Sequence, residues 1–251
     1  FETAWNFDHF YPLQGDKNGP CLEAWVTLSA LAQATSRIRI GCMVNGVPYR
    51  HPALVANMAA SLDIVSGGRL ELGLGAGWNE QETKAYGIDL LPMGQRMDRF
   101  EEAVEVIDSL LAHEITTFQG KYFQLEQARC EPKGPQRPRP PIVIGGGGEK
   151  RTLRIAARFA QHWNLPFATP EVFRKKNEIL LAHCAAVGRD SSLIMRSVQI
   201  ESTADQDPAE VADKAAMLFA AGVDQVILTL RTPYRAERVA VLAKSLEAIG
   251  P

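Results

Sequence analysis

The stretch that most constrains the fold covers residues 38–79 and holds two apolar runs with a helical segment between them. The first run ends in a polar loop, the helical segment follows Pro52, and the second run ends in glycines. Strand, loop, helix and strand in this order predict a βαβ unit, and such units build parallel sheets covered by helices. We expect the chemistry where the two strands stop, at residues 43–45 and 76–79.

The same alternation of strand and helix continues along the chain. Apart from a hairpin insertion at about residues 113–140, seven predicted strands are each followed by a segment of helical periodicity. Because the chain opens on a strand already under way, the pattern predicts a (β/α)₈ TIM barrel whose first strand and helix precede Phe1. A doubly wound sheet is the alternative, but nothing marks a reversal of strand order. We expect one barrel domain over residues 1–251, within the roughly 200–250 residues of single-domain barrels.

Composition argues against several classes of partner. A formal net charge of −2 gives no reason to expect a nucleic acid or an anionic membrane. No apolar run approaches the roughly 18 residues of a membrane span. The 4 cysteines are scattered and the His residues lack metal-ligand spacing, so neither a disulfide framework nor a metal site is expected. Such cysteines suit a reduced cytoplasm.

Asp8 and His9 directly follow the first predicted strand, at the end where barrel enzymes keep their reactive groups. An imidazole can donate or accept a proton near neutral pH, and a neighbouring carboxylate can bias which it does. A structural His that caps the loop is the alternative, and position alone does not separate the two. His9 is therefore a candidate catalytic residue, with Asp8 beside it.

Four consecutive glycines lie between a predicted strand and a predicted helix at residues 145–148. Glycines permit close backbone approach, and the free N–H groups at the start of a helix favour an anion. The run is not a Walker A loop, because Glu149 precedes the Lys and Arg151 follows it. We expect it to bind a phosphate group, with a simple turn as the alternative.

Glycines at residues 73–77 do not form a dinucleotide-binding fingerprint, because Glu80 replaces the third glycine and the run starts inside a strand. A backbone that lies flat beneath a planar ligand is the functional alternative. Trp78 and Tyr86 are candidate walls of a substrate pocket, although aromatic side chains near a barrel mouth also serve simple packing. Arg231, directly after the last predicted strand, is a candidate substrate contact, with a solvent-facing Arg as the alternative.

Three segments in the same order carry a resemblance to a known superfamily. They are DHF at residues 8–10, YRHPALVANMAASLDIVSGGRLELGLGAGWNEQE from Tyr49, and GGGGEKRTLRIAARFAQHWN from Gly145. The chain resembles the luciferase-like monooxygenase superfamily essentially end to end, and looks most like its actinobacterial branch of F420-dependent oxidoreductases. The resemblance is less specific for the cofactor, because flavin and deazaflavin members share the fold.

The resemblance implies a luciferase-like (β/α)₈ barrel that holds the isoalloxazine-like ring of coenzyme F420 at its carboxyl-terminal mouth. A non-prolyl cis peptide between Cys42 and Met43 would form a bulge behind this ring. The glycines at residues 145–148 would bind the cofactor phosphate. The cofactor-binding residues implied in this way are Cys42, Met43, Val44, Asn45, Ala76, Gly77, Asn79, Gly145, Gly146, Gly147 and Gly148.

The resemblance also implies a reaction. A hydride would pass between C5 of the deazaflavin and a carbon of a small organic substrate, while His9 donates or accepts the accompanying proton and Asp8 orients it. In the sugar-phosphate dehydrogenase branch a Glu would stand where this chain has Trp78. This difference argues against glucose-6-phosphate oxidation and favours a bulkier, apolar substrate with Trp78 as a wall.

Two other functions stay open at this stage. One is an FMN-dependent monooxygenase that activates O₂ with reduced flavin supplied by a partner reductase, which no motif excludes. The other is a flavin-binding protein without catalysis. Asp8 and His9 argue against the second, because a pure binding module needs no proton donor facing the ring. A homodimer is expected from the superfamily.

Overall fold

The structure is a computed structural model that describes residues 1–247; residues 248–251 of the expected domain lie outside the described part. Ten strands and eight α-helices are assigned within residues 1–247. The strands are β1 (Thr3–Asn6), β2 (Arg39–Cys42), β3 (Asn45–Gly46), β4 (Leu70–Gly75), β5 (Thr116–Gln119), β6 (Gln124–Ala128), β7 (Ile142–Gly145), β8 (His162–Leu165), β9 (Met195–Ser202) and β10 (Gln225–Leu230). The helices are α1 (Ala24–Ala34), α2 (Pro52–Val65), α3 (Glu80–Ala85), α4 (Met93–Ala112), α5 (Thr152–Phe159), α6 (Pro170–Ala186), α7 (Pro208–Ala220) and α8 (Ala236–Glu247).

The central sheet is parallel and follows chain order. Its strands pair in the order β1-β2-β4-β7-β8-β9-β10, and the two-residue β3 also pairs with β4. Because the order never reverses, the sheet is that of a barrel and not of a doubly wound fold. The predicted α/β barrel architecture is confirmed. The strand expected upstream of Phe1 lies outside this sequence and stays a prediction.

β4, β7 and β8 are largely buried on both faces because helices cover the sheet from outside while side chains of the strands fill the barrel inside. All six residues of β4 are buried, and Leu74 and Ile144 are fully buried on neighbouring strands. Burying one such side chain stabilises the fold by roughly 1.5–3 kcal/mol. These strands therefore form a stiff frame for the loops at their carboxyl ends.

The predicted hairpin insertion is confirmed. β5 and β6 pair antiparallel as a separate two-stranded sheet, with Phe118 opposite Leu125. The connector that follows contains cis bonds before Pro132 and before Pro138. It returns the chain to the central sheet at β7.

One helix is absent from the sequence prediction. α3 has six residues and is polar, so it shows no apolar repeat; Asn79 begins it by accepting a hydrogen bond from the backbone N–H of Glu82 at 3.1 Å. This capping pattern, Asn-x-x-Glu, was the available signal.

No helix in the described part of the chain is long and apolar enough to cross a membrane.

Candidate active site

Three chain segments meet at one side of the barrel mouth because β1, β2 and β4 are neighbours in the sheet. His9 follows β1, Tyr49 and Arg50 follow β3, and Glu82 lies on α3 after β4. Parallel strands place all these carboxyl-terminal extensions at the same end of the barrel. A cavity of about 270 Å³ opens there. Its lining includes Asp8, His9, Phe10, Cys21, Glu23, Arg50 and Tyr86.

Glu82 is the centre of this side of the mouth. Its carboxylate is fully buried, and its Oε2 lies 2.7 Å from His9 Nδ1 and 2.7 Å from the Tyr49 hydroxyl. The backbone N–H of Phe10 donates to Oε1, and the N–H of Tyr11 approaches the same atom at 3.4 Å. One buried carboxylate thus connects the loop after β1 with the segment after β3.

The surroundings keep Glu82 ionised. Burial alone raises the pKa of its carboxyl, but hydrogen bonds from Tyr49, His9 and the Phe10 N–H outweigh burial and lower the pKa below its usual value. An ionised carboxylate only accepts hydrogen bonds, so the His9 nitrogen that faces it must carry a proton. In a neutral His9 ring the other nitrogen, Nε2, is then the acceptor. Nε2 has no hydrogen-bond partner among residues 1–247.

Asp8 does not orient His9, so this part of the sequence hypothesis is wrong. Its buried carboxylate accepts two bonds from Arg50, at 2.7 and 3.0 Å, and a third from the Gly46 backbone N–H at 3.0 Å. Asp8 and His9, in the loop after β1, therefore face different neighbours. Glu82, and not Asp8, is the carboxylate that contacts the His9 ring. Asp8 instead links the loop after β1 to Gly46 and Arg50 by hydrogen bonds.

The non-prolyl cis peptide lies one bond later than expected, between Met43 and Val44 instead of Cys42 and Met43. The Met43 backbone N–H still donates to the Asn6 carbonyl at 2.8 Å. Sheet pairing therefore extends through the bond where the irregularity was expected. Cys42 is a buried thiol whose pKa is raised well above its ordinary value, first by burial.

Val44 lies on glycines from two neighbouring strands. A Cβ at Gly75 would come within 2.5 Å of Val44 Cγ2, and a Cβ at Gly145 within 3.0 Å of Val44 Cγ1. A side chain at Gly75 would therefore displace Val44, and one at Gly145 would press tightly against it. The result is a half-buried apolar surface in the barrel mouth, which suits one face of a planar ring.

Asn45 presents a buried acceptor that the protein does not use. Its amide nitrogen donates to the Gly73 carbonyl at 2.7 Å, whereas its Oδ1 has no partner in the described part of the chain. Leaving such an atom unpaired costs about 1–3 kcal/mol. A ligand N–H would satisfy it, and a ring imide of a flavin or deazaflavin supplies such a donor. The residues present therefore fit the implied cofactor at its ring edge.

The second predicted cofactor segment lies beside the first. Ala76 and Gly77 are half-buried, and Gly77 has a φ of +80° at a point where a Cβ would meet Pro48. The side-chain oxygen of Asn79 is used in capping α3. Ala76 and Gly77 thus lie next to the segment after β3, a cofactor contact for either residue stays a prediction, and Asn79 caps the helix that carries Glu82.

The glycine loop at residues 145–148 connects β7 to α5 as predicted. Gly146 adopts a φ of +118°, and the Gly148 carbonyl accepts the Leu153 N–H at 3.0 Å. Gly148 is exposed, so backbone at this point is accessible to a ligand. Lys176 packs beside Gly147 and pairs with Glu149 at 2.8 Å. A phosphate site here stays a prediction.

The predicted pocket residues lie on three different segments of the chain. Trp78 is 64% exposed, with its ring edge-to-face with His9 at a centroid distance of 5.6 Å. Tyr86 stacks on Phe10 at 4.3 Å and forms the neighbouring part of the rim. Arg231 follows β10 and is already paired with Glu201.

The family model described as luciferase-like monooxygenase matches residues 1–248. The chain belongs to this family. The predicted superfamily is thereby confirmed, and the luciferase-like protein described here is an oxidoreductase, as the sequence predicts.

Curated relatives of this luciferase-like chain include two F420-dependent dehydrogenases. The F420-dependent hydroxymycolic acid dehydrogenase of Mycobacterium tuberculosis is 33% identical over 230 residues, which cover 90% of this chain and 61% of that protein. The F420-dependent glucose-6-phosphate dehydrogenase of Kineococcus radiotolerans is 31% identical over 218 residues, covering 84% of this chain and 62% of that protein.

A solved structure agrees with the fold over the whole chain. It is an F420-dependent secondary alcohol dehydrogenase in complex with an F420-acetone adduct, with a TM-score of 0.90 at 21% identity. The match covers 100% of this chain and 91% of that chain. At this identity the likeness establishes the fold alone.

Proposed function

We propose that this protein is an F420-dependent oxidoreductase that interconverts an alcohol and a carbonyl compound. The observation that carries the proposal is the His9 ring, held at Nδ1 by the buried carboxylate of Glu82 and free at Nε2 among residues 1–247. A base fixed at one nitrogen and open at the other is suited to take a proton from a bound hydroxyl. The names of the F420-dependent relatives support the choice of cofactor and of an alcohol substrate.

Residues on three strand ends would hold the cofactor. Val44 offers an apolar surface for the ring, Asn45 Oδ1 an acceptor for a ring N–H, and the loop at residues 145–148 backbone N–H groups for the phosphate. When bound, the deazaflavin supplies a carbon, C5, that accepts or releases a hydride. The protein's part is to place this ring and exclude water.

The geometry of His9 indicates the path of the proton. In the oxidation direction Nε2 accepts the hydroxyl proton of the alcohol while the hydride leaves the carbinol carbon, so a carbonyl compound remains. The His9 imidazole then carries a positive charge, which the Glu82 carboxylate stabilises from a distance of 2.7 Å. In the reduction direction Nε2 returns the proton to the forming alkoxide.

Trp78 sets the character of the substrate side. An indole that is 64% exposed and in edge contact with His9 offers an apolar wall to whatever lies at Nε2. We therefore propose an alcohol with an apolar substituent next to the reacting carbon. A sugar phosphate would gain little from this wall.

Titrating the purified protein with F420 and with FMN tests the proposal. We expect F420 to bind more tightly than FMN. Apolar secondary alcohols should reduce the bound F420, and the loss of its absorbance measures this reduction. Tighter binding of FMN, with consumption of O₂ when reduced FMN is supplied, would contradict the proposal and favour a monooxygenase.

Two further features belong to the proposal. A homodimer is expected from the family, and light scattering of the purified chain will measure it. A cytoplasmic location is expected because Cys42, Cys130 and Cys184 are buried free thiols. Fractionation of cells that express the protein will test the location.

A further inference from the structure

We propose that Tyr49 is a positioning residue that limits how strongly Glu82 attracts the proton on His9, and so sets the pH range in which His9 acts as a base. This inference rests on the proposed function for its catalytic consequence. Its physical content, a coupling of Tyr49 to His9 through Glu82, does not depend on the cofactor.

The two donors share one oxygen atom. The Tyr49 hydroxyl and His9 Nδ1 both lie 2.7 Å from Glu82 Oε2, whereas the backbone N–H groups of Phe10 and Tyr11 approach Oε1. Donors on the same oxygen divide its negative charge between them. Tyr49 therefore reduces the charge that Glu82 presents to the His9 ring.

The Tyr49 ring is held firmly enough to keep this contact. A Cβ at Gly46 would lie 2.8 Å from the ring, so the glycine is what admits the ring at this place. Phe10 contacts the ring edge-to-face at 5.4 Å. Asp8 holds the Gly46 backbone N–H at 3.0 Å, which fixes the segment that carries Tyr49.

Tyr49 stays a donor throughout the working pH range. Burial and the hydrogen bond to Glu82 raise the pKa of its hydroxyl far above the usual value. The group therefore acts as a constant donor and does not itself titrate with the reaction. Removing it leaves Oε2 to His9 alone, which favours the protonated His9 ring.

Other ionisable groups near Glu82 and His9 come from several segments, and within residues 1–247 none of them shares Oε2. Asp8 pairs with Arg50, Arg50 also pairs with Glu23, and Cys21 donates its thiol to the His9 carbonyl at 3.3 Å. On α3 itself, Glu80 and Lys84 are exposed. The phenols of Tyr11 and Tyr86 also lie nearby, with their ring centroids 5.4 Å apart. All these groups are retained when only the Tyr49 hydroxyl is removed.

The test compares Tyr49→Phe with Tyr11→Phe. Both variants lose one phenol hydroxyl near the site, but Tyr11 approaches Glu82 only through its backbone N–H, which the variant keeps. With F420 and a secondary alcohol, we expect the acidic midpoint of the kcat/KM profile to rise by about 0.5–1 pH unit in Tyr49→Phe, a threefold to tenfold change in the proton equilibrium. In Tyr11→Phe the midpoint should stay where it is in the parent.

NMR titration of the His9 ring in the cofactor-free protein separates this inference from the proposed function. An upward move of the His9 titration midpoint in Tyr49→Phe, without F420-dependent turnover of any alcohol, would support the coupling and overturn the proposed function. An unchanged midpoint in both measurements would overturn the coupling even if turnover is observed.

A second variant tests the inference in case Tyr49→Phe does not fold. A fluorinated tyrosine at position 49 keeps the ring and is a stronger donor, so it should move both midpoints to lower pH. A purely structural role for Tyr49 would lower the melting temperature without moving either midpoint, and that result would contradict the inference.

Discussion

Two His–Glu pairs lie at opposite ends of the barrel. His9 and Glu82 follow the carboxyl ends of their strands, whereas His162 is the first residue of β8 and Glu71 the second residue of β4. The contacts are similar, with Nδ1 to Oε2 distances of 2.7 Å at the mouth and 3.0 Å at the amino-terminal end. The pair itself therefore does not identify the functional end.

The remaining ring nitrogen separates the two pairs. His162 Nε2 lies 2.6 Å from the Ser197 hydroxyl, and Glu71 also accepts from Arg39 at 2.8 Å. Both nitrogens of His162 are thus used within the protein, while Nε2 of His9 has no hydrogen-bond partner among residues 1–247. A buried, fully partnered network at the amino-terminal end of a barrel serves stability.

Cavity volume would favour the His162 end of the barrel, and it is a weaker guide to the functional site than the free ring nitrogen. The cavity next to His162 and Glu71 measures about 330 Å³, against about 270 Å³ for the one next to His9. The larger cavity faces side chains whose hydrogen bonds are already made. An atom without a hydrogen-bond partner at the carboxyl ends of the strands is therefore better evidence for a site than cavity volume.

The largest expected effect is on turnover in His9→Ala. Loss of the proton-handling group should reduce kcat by about 10²–10⁴-fold, since that is the usual contribution of general acid–base catalysis. Affinity for F420 should change little because the proposed binding site for the deazaflavin ring is made by other residues. Steady-state kinetics and a fluorescence titration measure both. His51→Ala, which removes a helix cap at α2 and a ring contact with Phe123, is the control and should keep kcat.

Glu71→Gln should act on stability and not on chemistry. Breaking a buried charged pair costs about 3–5 kcal/mol, because His162 and Arg39 lose their common partner. Urea unfolding at pH 7 measures the loss, and kcat well below the melting temperature should match the parent. A large fall in kcat with unchanged stability would show that the two ends are not distinct in function.

Acid should weaken the same pair. Burial raises the pKa of Glu71, but hydrogen bonds and charges from His162 and Arg39 outweigh burial and lower it below the ordinary value. A lowered folded-state pKa means that the stabilisation is present above the unfolded pKa, roughly 4.3, and is lost as pH falls through the folded value. Urea unfolding between pH 6 and pH 3 should therefore show a smaller loss in Glu71→Gln than in the parent. An equal loss would contradict the assignment.

The smallest expected effect is at the cofactor edge. Asn45→Ala removes the unpaired Oδ1 together with the amide that holds Gly73. A lost hydrogen bond of about 0.5–1.5 kcal/mol corresponds to a twofold to tenfold weaker affinity for F420. Fluorescence titration measures it, with urea unfolding as the check on stability. Unchanged affinity would remove Asn45 from the cofactor site.

Much of the fold follows from local sequence pattern. The alternation of apolar runs and helical repeats predicts the parallel barrel, and the strand-end position of His9 predicts its place at the mouth. The identity of its partner does not follow from such a pattern. Glu82 lies 73 residues away on a short polar helix, and only the adjacency of β1, β2 and β4 brings the two together.

Chemical rescue tests the central claim most directly. Free imidazole added to His9→Ala can enter the space of the lost ring and accept the proton in its place. We predict that kcat for F420-dependent alcohol oxidation rises with imidazole concentration in His9→Ala and that the parent enzyme shows no such rise. No recovery in His9→Ala, in a variant that still binds F420, would contradict the role of the open His9 nitrogen.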